Sequence, residues 1–198
     1  GGALPASPAV VNFAGRAQIL VESKVAIGRA AAGLIKNGQV VMLDGGTTAV
    51  QIARHLKPNL QATIVTHSAS IAIELLDYAG VEVILIGGRL FKHSVVSVGA
   101  AAIEAIRHIR ADVYFIGVTG IHPQAGLSTG DLEEAYVKYA LCQQAAETMV
   151  LASNEKLGAA SQYVIAPLHE VTGLIVEQSV PDDVLQPYIE QGLTIVRA

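Results

Sequence analysis

Apolar runs alternate with helical segments along this chain, and this alternation constrains the fold more than any other feature. The runs predict strands at 39–43, 62–66, 81–86, 112–116, 148–152, 171–176 and 193–196. Helical patterns fill the gaps between them, at 48–56, 69–78, 99–108, 132–146 and 182–190. Strands that lack polar alternation and are joined by single helices are typical of a parallel sheet buried on both faces. The sequence therefore predicts an α/β fold, with a mostly parallel sheet and helices on both faces.

The start of the chain has a different character. Residues 1–8 contain Gly, Pro and small residues without any period, which is typical of a linker. A helical pattern follows from about 13 to 36, and Asn37-Gly38 predicts its end. We therefore divide the chain into a linker remnant at 1–15 and one domain at 16–198.

The composition favours a large apolar core. Hydrophobic residues make up 52% of the chain and charged residues 15%, so disorder is not expected. No apolar run reaches the roughly 18 residues needed to span a bilayer, and no signal-peptide pattern opens the chain. The single cysteine, Cys142, cannot form an internal disulfide, which fits a reducing compartment. We therefore expect a cytoplasmic protein without a membrane partner.

The charge balance argues against direct contact with DNA. The chain has 13 basic and 17 acidic residues, a net charge of −4, no tryptophan and no basic stripe. Proteins that bind nucleic acid directly usually carry a basic face. We therefore expect that this chain does not itself bind DNA.

The sequence Asp44-Gly45-Gly46-Thr47-Thr48 is the strongest local signal for a binding site. It follows an apolar run and precedes a helical pattern. A strand that enters a helix through a Gly-rich turn presents free N–H groups, hydroxyls and a helix dipole to an anion. The turn matches neither GxGxxG nor GxxxxGKS/T, so a dinucleotide or nucleoside triphosphate is not expected. It predicts a phosphate site, and a tight turn with a Thr N-cap is the alternative explanation.

Further polar loops follow the other predicted strands. Because the carboxyl ends of parallel strands share one edge of a sheet, the loops that follow them meet around a pocket. The residues of these loops that we predict to bind ligand are Thr66, His67, Ser68, Gly87, Gly88, Lys92 and Lys156. The concentration of polar loops at one edge favours a ligand site over turn chemistry alone.

Cations and a carboxylate complete the predicted site. A phosphate dianion calls for at least one ammonium group, and Lys92, Lys138 and Lys156 are the candidates. Lys138 lies one turn after Glu134, so an ion pair between them is its alternative role. For Glu134, contact with ligand hydroxyls and charge compensation at a helix start are both open. The histidines show no metal-ligand spacing, and no metal or cofactor is predicted.

The loops, taken in order, resemble those of the effector-binding domain of the DeoR family of bacterial transcription regulators. The likeness covers nearly the whole chain, and its specificity lies in the ordered set. The matching stretches are LDGGTT at 43–48, VTHS at 65–68, LIGG at 85–88, ADVYFIGVTGI at 111–121, GLST at 126–129, EEA at 133–135 with Lys138, and LASNEK at 151–156.

This resemblance implies a sensor fold similar to ribose-5-phosphate isomerase and a phosphorylated sugar or polyol as effector. It also implies that a winged helix-turn-helix module, absent from this chain, precedes the linker and reads DNA. Paired DNA-binding modules need a symmetric assembly, so a homo-oligomer is expected. The expected function is that of the effector-binding domain of a repressor or activator.

The same resemblance raises the question of catalysis. The isomerases carry carboxylates in the loop that matches 117–120, and this loop has none. Glu134 matches the isomerase base, but sugar-phosphate isomerisation needs acids beside the base. Two loop positions depart from the usual regulator pattern, with His67 where Asn is common and Thr119 where Asp is common. We predict a non-enzyme; the alternatives are an active sugar-phosphate isomerase or related transferase, and a pure oligomerisation module.

Overall fold

The computed structural model describes residues 12–198, which form twelve strands and seven α-helices. The strands are β1 (Val40–Leu43), β2 (Ala62–Thr66), β3 (Val81–Leu85), β4 (Arg89–Phe91), β5 (Val96–Val98), β6 (Ala111–Gly117), β7 (Gly120–His122), β8 (Gly126–Thr129), β9 (Ala145–Leu151), β10 (Tyr163–Ala166), β11 (Gly173–Val176) and β12 (Thr194–Arg197). The helices are α1 (Phe13–Ala17), α2 (Val21–Leu34), α3 (Thr47–Arg54), α4 (Ala69–Glu74), α5 (Ala100–Arg107), α6 (Leu132–Cys142) and α7 (Asp182–Ile189). Residues 1–11, which fall within the predicted linker, lie outside the described residues.

A seven-stranded parallel sheet forms the centre of the fold, in the order β12-β11-β9-β6-β1-β2-β3. The chain runs outward from β1 to β3 and then crosses to the other side of β1, so the strand order reverses between β1 and β6. Leu43 pairs with Thr66 on one side and Phe115 on the other, which aligns the carboxyl ends of three strands. A reversal of this kind opens a crevice at that edge. The predicted α/β fold with a parallel sheet is confirmed.

Helices cover both faces of the sheet, and each face has its own apolar core. In β1, Val41 and Leu43 face one core and Met42 faces the other, because successive side chains of a strand point in opposite directions. The first core includes Ile27 of α2, Ile52 of α3 and Ile71 of α4, and the second includes Ile106 of α5, Val137 of α6 and Leu185 of α7. Burial on both faces explains why the strands show no polar alternation.

Two small antiparallel sheets lie outside the predictions. Strands β4 and β5 form a hairpin, and β10, β8 and β7 form a three-stranded sheet. Each of these strands has only three or four residues, and most of them contain no sustained apolar run that would indicate a strand. The predicted helix at 132–146 extends too far, because β9 begins at Ala145, where it pairs with Ala111.

The predicted helix at 13–36 is wrong in one respect, because the structure divides it into two. Leu20, between α1 and α2, has φ 50° and ψ 48° in the left-handed region. A non-glycine residue there costs about 1 kcal/mol. The Lys24 ammonium offsets the break by donating hydrogen bonds of 2.5 Å to the carbonyl oxygens of Arg16 and Ile19. The resulting bend carries Arg16 to the carboxyl edge of the large sheet.

Candidate functional site

A pocket of about 90 Å³ opens at the carboxyl edge, where the strand order reverses. The loops after β1 and β6 line it with residues 45–49 and 117–119. Helix α6 contributes Glu134 and Lys138, and a single 3-10 turn, Asn154–Lys156, contributes Lys156. The structure therefore brings together the predicted turn, the predicted carboxylate and two of the three predicted cations.

The turn at 45–48 forms one wall of the pocket. Its two positions 45 and 46 require glycine for different physical reasons. A Cβ on Gly45 would lie 2.1 Å from Cγ1 of Val96, so the β4–β5 hairpin packs directly on this backbone. Gly46 has φ 125°, where residues with side chains rarely lie. Among residues 12–198 no side chain caps the start of α3. The first N–H groups of α3, which belong to pocket-lining residues, are therefore available to an anion.

Asp44 lies beneath the turn, is fully buried and contacts three other elements. Its Oδ2 accepts a hydrogen bond of 2.7 Å from the Gly117 N–H and forms an ion pair with the Lys138 ammonium. Its Oδ1 lies 2.9 Å from Nε2 of His67. Burial alone would raise the pKa of Asp44, but the Lys138 ammonium and the His67 hydrogen bond hold that pKa at about 2. Asp44 is therefore ionised at neutral pH and fastens β1 to β6 and α6 from below the pocket.

His67 joins the turn to the hairpin and is also fully buried. Its Nδ1 lies 3.0 Å from the Ser97 carbonyl oxygen, to which it donates. Its Nε2 lies between the Asp44 carboxylate and the Gly45 N–H, which is 3.2 Å away. Nε2 donates to the first or accepts from the second, depending on its protonation. In either form His67 positions the turn.

The remaining predicted loop residues lie away from the pocket lining. The Thr66 hydroxyl donates to the Leu43 carbonyl at 2.8 Å, and Ser68 caps α4 through a contact of 3.5 Å with the Ile71 N–H. A Cβ on Gly88 would lie 2.9 Å from the Val98 carbonyl oxygen, so the hairpin packs closely there. Neither pocket includes Gly87, Gly88 or Lys92, and Lys92 is exposed.

The two predicted lysines that line the pocket, Lys138 and Lys156, are in different states. The Lys138 ammonium is held by Asp44 and by the Gly117 carbonyl oxygen at 3.0 Å. No ion pair between Lys138 and Glu134 forms within the described part of the chain. The Lys156 ammonium has no hydrogen-bond or ion-pair partner among residues 12–198. Burial lowers the pKa of Lys156 to about 8, against the opposing effect of Glu155 and with a further lowering by the nearby cations.

Glu134 brings a carboxylate to the pocket. The residue is 8% exposed and lines the pocket, and within residues 12–198 its carboxylate accepts no hydrogen bond. The start of α6 is capped by Asp131, whose Oδ1 accepts a hydrogen bond of 3.0 Å from the Glu134 N–H. Because Asp131 already satisfies the helix start, the Glu134 carboxylate is left to face the pocket.

Several lining residues were not predicted from the sequence: Arg16, Lys24, Ser94, Thr129 and Glu155. Lys24 was a signal that could have been used, because it lies three residues before Ile27, on the apolar face of the predicted helix. Arg16 offered no such signal, because the left-handed turn at Leu20 brings it to the pocket.

A second cavity, of about 190 Å³, adjoins the first. Both are lined by Arg16, Thr119, Thr129 and Glu134. The second is completed by Phe91 and His93, whose rings lie 5.8 Å apart, and by residues 130–131. The two cavities therefore meet at Arg16 and Glu134. Thr119 contacts the Ser161 hydroxyl at 2.6 Å on the wall between them.

Among residues 12–198 no group of three His, Cys, Asp or Glu side chains could hold a metal ion. No helix in that range is long and apolar enough to cross a bilayer.

The family described as the DeoR C terminal sensor domain matches residues 20–178. The chain belongs to this family. The HTH-type transcriptional repressor GlcR of Bacillus subtilis (strain 168) is 36% identical over 169 residues, which cover 85% of this chain and 65% of that protein. The Glycerol-3-phosphate regulon repressor of Escherichia coli (strain K12) is 27% identical over 186 residues, covering 94% of this chain and 74% of that protein. The chain thus spans about two thirds of the length of relatives that are transcriptional repressors.

Solved structures share the fold. D-Ribose-5-phosphate isomerase in complex with phospho-erythronic acid has a TM-score of 0.50 at 15% identity, covering 75% of this chain and 56% of that chain. eIF2B beta from Chaetomium thermophilum has a TM-score of 0.53 at 12% identity, covering 86% of this chain and 54% of that chain. The predicted likeness to the ribose-5-phosphate isomerase fold is confirmed.

Proposed function

We propose that this chain is the effector-binding domain of a DeoR-type transcription regulator and senses a phosphorylated sugar or polyol. The observation that carries the proposal is the pairing of the 45–48 turn with Lys156 across one pocket. The turn offers backbone N–H groups at the start of α3, and Lys156 offers an ammonium without a partner among the described residues. Together they are the groups that a phosphate dianion requires.

The opposite wall suits a hydroxylated carbon chain. Glu134 lines the pocket, and no hydrogen bond to its carboxylate forms within residues 12–198. A carboxylate accepts hydrogen bonds through both of its oxygens. Sugar or polyol hydroxyls would donate to it, and Thr129 also lines the pocket. One relative is itself named for the glycerol-3-phosphate regulon, which agrees with a phosphorylated polyol.

The effector would act on DNA binding through a module that precedes this chain. An effector shifts a regulator only by its different affinities for two arrangements of the protein, however tightly it binds. The sensor would therefore favour one disposition of paired DNA-binding modules in a homo-oligomer. The negative charge of this chain agrees with a division of labour in which DNA is read elsewhere.

A thermal-shift and calorimetric panel tests the proposal. It compares glycerol 3-phosphate, ribose 5-phosphate and glucose 6-phosphate with glycerol, ribose and glucose. We expect the phosphorylated members alone to stabilise the chain, by about 2.7 kcal/mol at 100 times the Kd. Equal effects from the unphosphorylated compounds, or no effect from any compound, would contradict a phosphate sensor.

The variant Gly46→Val should weaken that binding at least about tenfold, because its side chain would occupy the approach of the phosphate to the turn. Gly192→Val is the matched control. Gly192 also has a positive φ, 87°, and open space around a built Cβ, but it does not line the pocket. Both variants should lose similar stability, so unchanged phosphate binding in a folded Gly46→Val protein would move the phosphate elsewhere.

A further inference from the structure

Helix α1 is attached to the domain mainly through polar contacts at the pocket. None of its five residues is buried, and Phe13 alone packs partly against a core. The Phe13 N–H donates to the His93 carbonyl at 2.9 Å, and Nη2 of Arg16 donates to the buried Ser94 hydroxyl at 3.1 Å. A third contact runs from the Lys24 ammonium to the Arg16 carbonyl oxygen. The anchoring of α1 therefore depends on residues that also line the two cavities.

Arg16 stands where the two cavities meet. Its side chain lines both, and its Nε is buried without a hydrogen-bond partner among residues 12–198. An unsatisfied buried N–H carries a cost that a suitable acceptor removes. Arg16 thus has one unsatisfied N–H enclosed by protein, while the half-buried side chain lines the site proposed for the effector.

No carboxylate among the described residues forms an ion pair with the Arg16 guanidinium. Burial lowers the pKa of Arg16, while Glu134 and Asp44 act in the opposite direction. Asp44 is already held by Lys138 and His67, and no ion pair joins Arg16 to Glu134 within the described residues. An anion in the pocket can accept from the fixed fork of a guanidinium through two parallel hydrogen bonds.

We propose that Arg16 is a ligand-binding residue that couples occupancy of the pocket to the position of α1. The proposal rests on the phosphate-sensor function above. An anionic effector would accept from Arg16, and the hydrogen bonds would hold α1 against the domain. Because α1 is the first helix of the described residues, its docking would set where the chain enters the domain at Phe13.

Lys24 provides a contrast within the same pocket. Its ammonium already donates to two backbone carbonyls and closes the turn between α1 and α2. Lys24 therefore has a structural role with or without an effector, whereas the role of Arg16 would depend on occupancy. Amide hydrogen exchange in α1 should therefore respond to the effector through Arg16, and exchange in the 45–50 turn should respond independently of Arg16.

The test is hydrogen–deuterium exchange of this chain with and without saturating inorganic phosphate. We compare the wild type with Arg16→Gln, Arg16→Lys and the control Arg29→Gln, since Arg29 is exposed and lines neither cavity. Phosphate should slow exchange several-fold both in the 45–50 turn and in α1 of the wild type and the control. Arg16→Gln should weaken phosphate binding about 10- to 100-fold. In saturated Arg16→Gln, phosphate should slow exchange in the turn but not in α1. In Arg16→Lys the protection of α1 should be intermediate.

The possible outcomes separate the two proposals. Protection of the turn without protection of α1 in the wild type would overturn the coupling and leave the sensor function intact. Protection of α1 that survives in saturated Arg16→Gln would also overturn the coupling. Protection of neither region at any phosphate concentration would overturn both proposals. If Arg16→Gln does not fold, the wild-type comparison and Arg16→Lys still decide, because loss of α1 protection is measured within each protein.

Discussion

The two sides of the pocket are built in different ways. The floor, made by Asp44, His67 and Lys138, is buried, and each of its charged groups already has a partner. The rim, made by Arg16 and Lys156, is half-buried, and each side chain keeps a donor without a partner in the described structure. A floor whose charged groups are already paired can hold its shape without ligand, whereas the unpartnered donors of the rim need an acceptor from outside the described residues. This contrast predicts that floor substitutions change stability and rim substitutions change binding.

The largest expected effect comes from breaking the floor. Asp44→Asn would leave the Lys138 ammonium buried beside a neutral group, and such changes cost about 3–5 kcal/mol of unfolding free energy. Urea denaturation measures this loss. Glu104→Gln is the control, because the Glu104–Arg107 pair is largely exposed and should contribute under about 0.5 kcal/mol. If Asp44→Asn and Glu104→Gln lost equal stability, the floor would not be the rigid side.

The dependence of stability on acidic pH tests the same role of Asp44. The pKa of Asp44 in the folded protein, about 2, lies below its ordinary value of 3.8. A depressed pKa adds stability that is fully present above about pH 4 and is lost as the pH falls towards 2. The wild type should therefore lose stability more steeply than Asp44→Asn between those values. Parallel curves in urea titrations at several pH values would show that Asp44 does not contribute this linkage.

A smaller effect should follow from Lys156→Met on the rim. We expect glycerol 3-phosphate to bind about 10- to 100-fold more weakly, because one charged hydrogen bond is lost. The unfolding free energy should change by less than about 1 kcal/mol, because the Lys156 ammonium has no partner among the described residues. Lys92→Met is the matched control, since Lys92 is exposed and outside both cavities. Calorimetry that found equal losses in both variants would remove Lys156 from the site.

The pH dependence of binding distinguishes Lys156 from the other cations. A phosphate monoester is a dianion above about pH 7, and the pKa of Lys156 is about 8. A bound dianion would raise that pKa, so affinity should be constant near pH 7 and fall as the pH rises through 8. In Lys156→Met the affinity should be independent of pH between 7 and 9. A wild-type profile that is equally flat would contradict the assignment.

The smallest expected signal is in an isomerase assay, where we expect no catalytic activity. The chain should not convert ribose 5-phosphate to ribulose 5-phosphate, because the 117–120 loop lacks carboxylates and Asp44 is held by Lys138. A genuine ribose-5-phosphate isomerase, assayed in parallel, sets the detection limit. Turnover of about 1 s⁻¹ or more that disappears in Glu134→Gln would establish the enzyme alternative.

The sequence predicted the sheet far better than the surroundings of the pocket. The central strands β1, β2, β6 and β11 are almost wholly buried, so their apolar runs stand out, and the observed bounds of all seven strands lie close to the predicted ones. The β4–β5 hairpin and the β7–β8–β10 sheet were missed because most of their strands are short and carry no sustained apolar run. The break at Leu20 was missed because hydrogen bonds from the Lys24 side chain to the backbone, not backbone propensity, stabilise it.

The residues of the candidate site also divide into those that the sequence predicted and those that it did not. The 45–48 turn, Lys138 and Lys156 directly follow strands or lie on a helix with clear periodicity, so their place at one edge could be inferred. Arg16 and Ser94 reach the pocket through the broken helix and the hairpin, which the sequence did not reveal. Conversely, Gly87, Gly88 and Lys92 follow a strand but lie away from the pocket, because β3 is the outermost strand of the sheet.

The contact between Gly117 and Asp44 also limits how this domain could change its chemistry by mutation. A Cβ on Gly117 would lie 3.2 Å from Oδ2 of Asp44. A carboxylate introduced at this position would therefore meet a buried anion of like charge, which disfavours ionisation of both. A carboxylate at Gly117 would thus disturb the Asp44–Lys138 pair. A change of role that began at this position would begin with a loss of stability, and the ion pair opposes it.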